Sequence, residues 1–546
     1  MKKYRQIITA NKGLSSLYCA VGILIAFLTT LNVHYFQNVL DQLPTLTLSD
    51  PTILVYLATL ILIPIIGYFD EYAANKLPER IYYGIKQRAL EKMDTIEYQH
   101  VADRSLGTLL QLIENGASAG RDVVFAFAFQ VIRDLAPTLL FSLIFIGAIS
   151  TKLIWFIMFG YVLVFAVTRL LLKWLYSIKS TLLENQEAIN QILTHSVMAF
   201  IVYRVTGRYR REIAAFHQLS ENAAAKKTEM ALIHESFFAI FALLVNAIKG
   251  GVIVLVITHH LNSLSIGALV ALLLYIDNIY SPIAIFNVIY VQAKLDDIAY
   301  TKLNTFFESP DDQGMLDTQR LKKPLTTITF TNLRYANGSQ LLFDKVNVQL
   351  EKGQIYYLIG KNGTGKSTLI NILMGFIKKF QGQLTYNDQT GDTFSLRDLY
   401  AKTSYLAQNA PVFAGTLRDN IDPNHRLSDL QITAILEQVA LAEDVAALPA
   451  GLATEIADFG ANLSGGQRQK IAFARLLADA SHTELVIMDE ATAALDKQSR
   501  AQILTNIAPA LAHKIVLIVT HRTETIPQGA NLLVIAHQQI HQQTKQ

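Results

Sequence analysis

The chain has 546 residues, too many for one ordinary domain. Only 17% are charged and 51% are hydrophobic, with a mean hydropathy of +0.29, which excludes a disordered or low-complexity chain. A net charge of +3 gives no ground for a nucleic-acid partner, and the single cysteine, Cys19, excludes an intramolecular disulfide or a multi-cysteine metal site. These values describe a membrane protein with a sizeable soluble part.

A bilayer core about 30 Å thick is crossed by about 20 apolar helical residues. Six stretches before residue 300 reach that length: 15–40, 53–73, 124–149, 153–175, 235–258 and 264–290. The first is longer than the core of a signal peptide, with no clear cleavage site after it, so it reads as a spanning helix. Residues 1–14 leave no room for a peptidase domain, so a peptide cargo would be processed elsewhere. Basic residues set the orientation. Lys2, Lys3, Arg5 and Lys12 precede the first stretch; Lys76, Arg80, Lys86, Arg88, Lys92, Arg104 and Arg121 separate the second from the third; Arg204, Arg208, Arg210 and Arg211 lie among others between the fourth and fifth. The opposite loops hold only Lys152. The N-terminus, both long loops and everything after the sixth helix are therefore expected in the cytoplasm, with the helices in the plasma membrane.

Both long loops contain helix-periodic segments, Ile81–Met93 and Thr181–Leu193, so the flanking helices are expected to continue into the cytoplasm as arms. Tyr98 and Tyr203, near the turns of these arms, are the expected docking anchors. Glu71, Arg133, Asp134, Lys249 and Asp277 fall inside or at the edges of the apolar stretches, where each charge costs at least about 2.5–3.5 kcal/mol at the centre. Counted from the outer ends, Lys249 lies ~13 Å deep and Asp277 ~20 Å deep, a gap that a lysine stem bridges. They read either as part of a polar cargo surface or as a structural ion pair. His259 and His260 read as outer-loop residues.

Glu308–Lys323, with Ser309-Pro310-Asp311-Asp312, reads as a linker, giving a transmembrane domain over 1–308, a linker over 309–325 and a nucleotide-binding domain over 326–546. In the last part, Ile355–Ile359, Leu485–Met488, Ile515–Thr520 and Leu532–Ala536 are short, nearly continuous apolar runs, as expected for strands of a parallel sheet covered on both faces. The fold class is thus a six-helix, all-α transmembrane domain followed by an α/β domain.

The run Ile355–Ile359 leads into Gly360-Lys361-Asn362-Gly363-Thr364-Gly365-Lys366-Ser367-Thr368, a phosphate-binding (P-loop) motif between strand and helix. Its glycines let backbone N–H groups turn toward phosphate oxygens, with the helix N-terminus adding its dipole. Lys366 would reach the outer phosphates of ATP and Ser367 would ligate Mg²⁺. The strand Leu485–Met488 ends in Asp489-Glu490, placing one carboxylate for Mg²⁺ and one to polarise a water.

Between these motifs lies Asn462-Leu463-Ser464-Gly465-Gly466-Gln467. With this string the sequence resembles the ATP-binding cassette (ABC) family, and the whole chain resembles an exporter-type (type IV) half-transporter. The resemblance implies an ATPase that drives transport, with further residues carried over by position. Tyr335 is similar to the aromatic that stacks on adenine, and Gln408 to the glutamine that senses Mg²⁺. Asp496, in Ala494-Leu495-Asp496, is similar to the loop between paired cassettes, and His521 to the γ-phosphate switch histidine. Thr454–Asp458 resembles the segment touching the intracellular loops, although Asp458 stands where the pattern more often has Glu.

The resemblance further implies that Ser464, Gly465, Gly466 and Gln467 of a second cassette complete each ATP site, so a second copy, or an unlike half-transporter, is required. Intact Glu490, His521 and Ser464 favour a homodimer. The cargo is left open among drug, lipid, peptide and other small amphipathic molecules, with export the leading direction. The alternatives are an importer of haem- or siderophore-like cargo, half of a heterodimer, or a membrane ATPase that regulates a partner.

Overall fold

The computed structural model describes residues 2–47, 49–102, 106–258, 264–316, 319–321, 323–390, 394–457 and 460–545. The chain divides into two compact units, Met1–Glu91 with Ser105–Glu308 and Lys92–Arg104 with Ser309–Gln546.

The first unit is helical. Its long helices are Lys12–Gln42, Pro51–Thr95, Thr151–Met198, Tyr209–Thr258 and Ile266–Phe307, with one composite run between the second and third of these. That run starts as Leu106–Arg121, loosens into π-helical turns at Asp122–Phe129 and Val131–Leu135, and ends as Ala136–Ile149. By length and composition, Lys12–Gln42, Pro51–Thr95, Gly107–Ile149 and Tyr209–Thr258 each suffice to cross a membrane, and Ile266–Tyr280 is a shorter apolar stretch. Local signals set the helix starts. Asp50 Oδ1 accepts from Thr52 N beside Pro51, and Ser265 caps the last helix by accepting from Ala268 N. Both expected arms are present: Ile81–Met93 continues the Pro51–Thr95 helix, and Thr181–Leu193 lies within Thr151–Met198.

The core of this unit gathers Ile146, Ile157, Val252, Leu272, Tyr275 and Ile276. Tyr280 is buried there and its hydroxyl donates to Ile157 O at 2.9 Å. A Cβ at Gly160 would come within 2.7 Å of that hydroxyl, so the close crossing requires glycine.

The second unit holds a six-stranded sheet ordered β12-β11-β3-β10-β9-β6 and a four-stranded antiparallel sheet ordered β2-β1-β4-β5. The strands are β1 (Thr327–Asn337), β2 (Gln340–Glu351), β3 (Ile355–Gly360), β4 (Gln381–Tyr386), β5 (Gln389–Thr390), β6 (Thr403–Leu406), β7 (Gly415–Thr416), β8 (Glu455–Ile456), β9 (Leu485–Asp489), β10 (Ile515–Val519), β11 (Asn531–Ala536) and β12 (Gln539–Thr544). Neighbouring pairs among β6, β9, β10, β3 and β11 are parallel, with β12 an antiparallel edge. Side chains alternate along β9: Leu485 and Ile487 join one core cluster, Val486 and Met488 the other. This two-sided burial is why the strands read as unbroken apolar runs in the sequence. The second unit is the expected α/β domain.

Ser309–Asp312, expected as linker, is folded against the end of the Pro51–Thr95 helix. Ile96 and Asp311 form an antiparallel bridge, and a short helix follows at Gln313–Leu316.

Candidate ATP site and membrane-embedded charges

Four adjacent parallel strands deliver the site. In the order β6, β9, β10, β3, their carboxyl ends lead to Gln408, to Asp489-Glu490, to His521 and to the phosphate loop. Open parallel sheets place ligand sites at this edge.

The phosphate loop runs from Gly360 to the helix Lys366–Leu373. Gly363 and Gly365 have φ of +79° and +103°, a region glycine enters without strain. A Cβ on Gly365 would also meet the Phe343 ring at 2.9 Å. Phe343 is the cross-strand partner of Tyr335, so Tyr335 sits one strand away from the loop, half-buried against the core. Lys366 is buried, its ammonium donating to the carbonyls of Gly360 at 2.9 Å and Lys361 at 3.1 Å. Burial lowers its pKa, while the carboxylates of Glu490 and Asp489 oppose the shift. Thr364 Oγ1 donates to Lys361 O at 2.9 Å, and Ser367 is exposed in the first turn of the helix beside the half-buried Thr368. Asn362 is exposed at the loop's crest.

Glu490 has φ +51°, unusual for a side chain with a Cβ, and its N–H donates to Val519 O at 3.1 Å. Its carboxylate accepts from Gln408 Nε2 at 3.1 Å and pairs with His521 Nε2. Three residues from three separate segments thus converge. Asp489 is half-buried; burial first, then the neighbouring Glu490, raises its pKa, against the pull of Lys366 and His521.

The Ser464–Gln467 segment is built differently. Ser464 caps the helix Gly465–Ala478 in a reciprocal box: its hydroxyl accepts from Gln467 N, and Gln467 Oε1 accepts from Ser464 N at 2.9 Å. A Cβ on Gly466 would lie 3.5 Å from Ala494 O, and Gln469 accepts from Ala494 N at 2.9 Å, so this segment is fastened to the Ala494–Asp496 turn. Asp496 caps the next helix through Ser499 N at 2.8 Å, and hydrogen bonds from the Ser499 side chain first, then from its backbone, lower the carboxyl pKa. Among the described residues, no hydrogen bond or ion pair joins Ser464–Gln467 to the phosphate loop or to Glu490. Asp458 lies outside the described residues, and Thr454 accounts for the start of that segment by accepting from Leu417 N.

In the membrane unit, Lys249 Nζ lies 2.6 Å from Asp277 Oδ1. Arg133 is buried and bonds Asp70 with both terminal nitrogens, at 3.3 and 2.6 Å, while its Nε reaches Asp134 at 3.2 Å and its guanidinium lies 3.9 Å from the Tyr18 ring centre. Asp70 is a residue the sequence reading missed; its neighbour Glu71 instead points outward and bonds Asn75. Of the expected anchors, Tyr98 stacks on Phe376 of its own unit with ring centres 4.8 Å apart. Tyr203 is buried by Tyr209 and Arg208, leaving Phe200, Ile201, Val202 and Val205 exposed at the tip instead. His259 and His260 lie outside the described residues.

Comparison with known proteins gives the family. Residues 16–283 match the model of the ABC transporter transmembrane region, and residues 343–493 match that of the ABC transporter ATPase, together most of the chain. The chain belongs to the ATP-binding cassette transporter family, as a membrane protein with transmembrane and ATPase parts fused. It is 25% identical over 530 residues to an ATP-dependent lipid A-core flippase 2 of Colwellia psychrerythraea, covering 94% of this chain and 88% of that one. It is 25% identical over 476 residues to an uncharacterised ABC transporter ATP-binding protein of Bacillus subtilis, covering 85% and 77%. A bacterial Atm1-family ABC exporter solved with ATP bound shares the fold, with a TM-score of 0.82 and 18% identity over 99% of this chain and 95% of that one. The chain is an ATPase that binds ATP and couples its hydrolysis to transport across a membrane.

Proposed function

We propose that two copies of this chain form an exporter, with two ATP molecules held between their cassettes. The observation that carries the reading is the split of the ATP machinery. Lys366, Glu490, Gln408 and His521 gather at one sheet edge, while the capped Ser464–Gln467 segment is bonded within itself and, through Gln469, to the Ala494–Asp496 turn, with no bond to those four among the described residues. The segment's free N–H groups and helix dipole then serve the phosphates of the other copy. The exposed apolar tip at Phe200–Val205 supports the same assembly, since it has no cover within its own unit.

In this mechanism the phosphate loop and Lys366 hold the β- and γ-phosphates, and Tyr335 stacks on adenine. Ser367, Asp489 and Gln408 suit Mg²⁺: an exposed hydroxyl, a carboxylate and an amide oxygen leave the remaining positions to phosphate and water, as this ion prefers. Bound there, the ion would neutralise phosphate charge. Glu490 takes the proton of the attacking water, and His521, paired with it, orients that carboxylate toward the γ-phosphate. The basic arms favour an orientation with the cassette in the cytoplasm. The cargo is a lipid, peptide or drug-like amphipathic molecule; the flippase relative supports the lipid class.

The test mixes Ser464→Arg chains with Lys366→Ala chains in the full-length protein. In a mixed dimer both defects fall in one composite site and the other site is whole. ATPase activity above that of either pure mutant is the expected result. No gain in mixed dimers verified by native mass would refute the shared site.

A further inference from the structure

Two membrane helices enter the second unit close together. The Pro51–Thr95 helix crosses into it at Lys92, and the Ile266–Phe307 helix leads into it at Ser309. Inside that unit the two entry points are sewn to each other. Glu97 N donates to Pro310 O at 3.2 Å and Asp312 N to Thr95 O at 2.7 Å, the two bonds of the Ile96–Asp311 bridge. Around this backbone pair, Asp311 Oδ1 accepts from Lys92 Nζ at 2.7 Å and Thr95 Oγ1 at 2.6 Å, and Lys92 also donates to Ser309 O. The Lys92 side chain is only 10% exposed, while the Asp311 carboxylate stays 38% exposed, so the pair is anchored from the lysine side.

The next residue fixes the stitch to the cassette. Asp312 is 6% exposed, pairs with Lys378 and accepts from Gly314 N at 2.9 Å. Gly314 packs against Leu396, where a Cβ would meet the leucine at 2.6 Å. Arg397, on the same short helix as Leu396, pairs with Asp94 and donates to Met315 O at 3.0 Å. Phe376, two residues before Lys378, carries the Tyr98 stack.

We propose that Asp311 and Asp312 are positioning residues for transport, forming a latch that binds the cytoplasmic ends of the second and sixth membrane helices to each other and to the cassette. The nucleotide-driven movement then reaches both helices at once, through the linker as well as through the Tyr98 turn. The Lys92 and Thr95 bonds that hold Asp311 also keep its carboxyl below the ordinary range, so the latch is charged throughout neutral pH. The inference rests on the reading of the chain as an ATP-driven transporter working as a pair of copies.

The experiment places one nitroxide on each full-length chain at Leu90→Cys, an exposed position, in a Cys19→Ser background in lipid nanodiscs. The distance between the two labels is read with and without a non-hydrolysable ATP analogue and Mg²⁺. A parent without a label–label signal would refute the pairing of copies and leave no wild-type shift for the latch to carry, overturning both. With a shift in the parent, Asp311→Ala should bind the analogue as the parent does, yet reach the shifted distance about five-fold less often, the lower end of usual allosteric coupling. The charge-swapped pair Lys92→Asp with Asp311→Lys should recover the shift, which a loss of mere stability would not. Thr95→Val, which removes one bond only, supplies a milder variant if Asp311→Ala fails to fold, and should lower the shifted population about two-fold. An unchanged shift in folded Asp311→Ala or Thr95→Val, or no recovery in the swapped pair, overturns the latch.

Discussion

Glu490→Gln is the sharpest probe of the ATP site, because it changes charge while keeping shape. The amide retains an oxygen to accept from Gln408 Nε2, now 3.1 Å from the carboxylate, and the backbone bond to Val519 O is untouched. What disappears is the carboxylate proposed as the base. A positioned general base contributes about 10²–10⁴-fold, or about 3–5 kcal/mol of barrier, so hydrolysis should fall by at least ~100-fold. Binding should survive, since Lys366 is held by the carbonyls of Gly360 and Lys361 rather than by Glu490.

The same substitution has a signed effect on pH dependence. In the parent, burial and the Glu490 charge both push the Asp489 pKa up, so Asp489 ionises at higher pH than a free carboxyl. Removing Glu490's charge deletes the second cause, so Asp489 should ionise at lower pH and the acid limb of Mg²⁺-dependent nucleotide binding should move down. The assay is phosphate release at saturating ATP, paired with equilibrium binding of a fluorescent ATP analogue across the acid range. Turnover within about ten-fold of the parent would refute Glu490 as the base. An acid limb that moves up would refute the electrostatic account of Asp489.

Two further predictions concern the other unit and the coupling turn. Arg133→Met strands the buried Asp70 carboxylate and should cost about 3–5 kcal/mol, whereas Arg133→Met with Asp70→Leu should recover most of it; thermal unfolding in detergent measures both, and equal losses would deny that the pair acts as a unit. Tyr98→Ala removes a stack worth about 0.5–1.5 kcal/mol and should leave ATP binding intact while weakening the nucleotide-induced label shift by about two- to ten-fold; an unchanged shift would remove Tyr98 from the coupling route.

The parallel sheet was legible because its strands are covered on both faces, so Leu485–Met488 and Ile515–Val519 appear as unbroken apolar runs. The strand–loop–helix around Gly360–Lys366 was legible because such a loop is a local structure: its glycines, lysine and hydroxyls are neighbours in sequence. The rest depends on contacts between distant segments. Asp70 and Glu71 are adjacent, yet about 100° apart around the helix, and only the position of Arg133 decides which of them it pairs with. Tyr203 has the composition of a docking anchor but is buried beside Tyr209, six residues on, and the apolar side chains exposed around it are Phe200, Ile201, Val202 and Val205. Ser309–Asp312 has the composition of a linker, and only its partners Lys92, Thr95 and Lys378 give it structure. Local chemistry is written in order along the chain; pairing across hundreds of residues is not.

Polar bonds inside the membrane unit bear on how it moves. Lipid tails are as apolar as leucine, so packing and hydrogen bonds, rather than hydrophobic burial, hold membrane helices together. Asn32 of the first helix donates to Thr59 of the second at 2.8 Å, and Asp70 of the second binds Arg133 of the third. Tyr280 of the sixth bonds the Ile157 carbonyl of the fourth, and Asp277 of the sixth pairs with Lys249 of the fifth. Asp41 closes the set by accepting from Gly267 N at 2.8 Å, tying the first helix to the sixth. Every long helix of one chain is thereby bonded to another. A transport cycle that opened the buried ones, Arg133–Asp70 and Tyr280–Ile157, would leave polar groups unpaired away from water, at a cost of several kcal/mol each. A cycle that moved one chain's helices as a body would keep them all. In the proposed dimer the cheaper motion therefore lies between copies, and what the ATP site needs is a rigid connection to the ends of those helices.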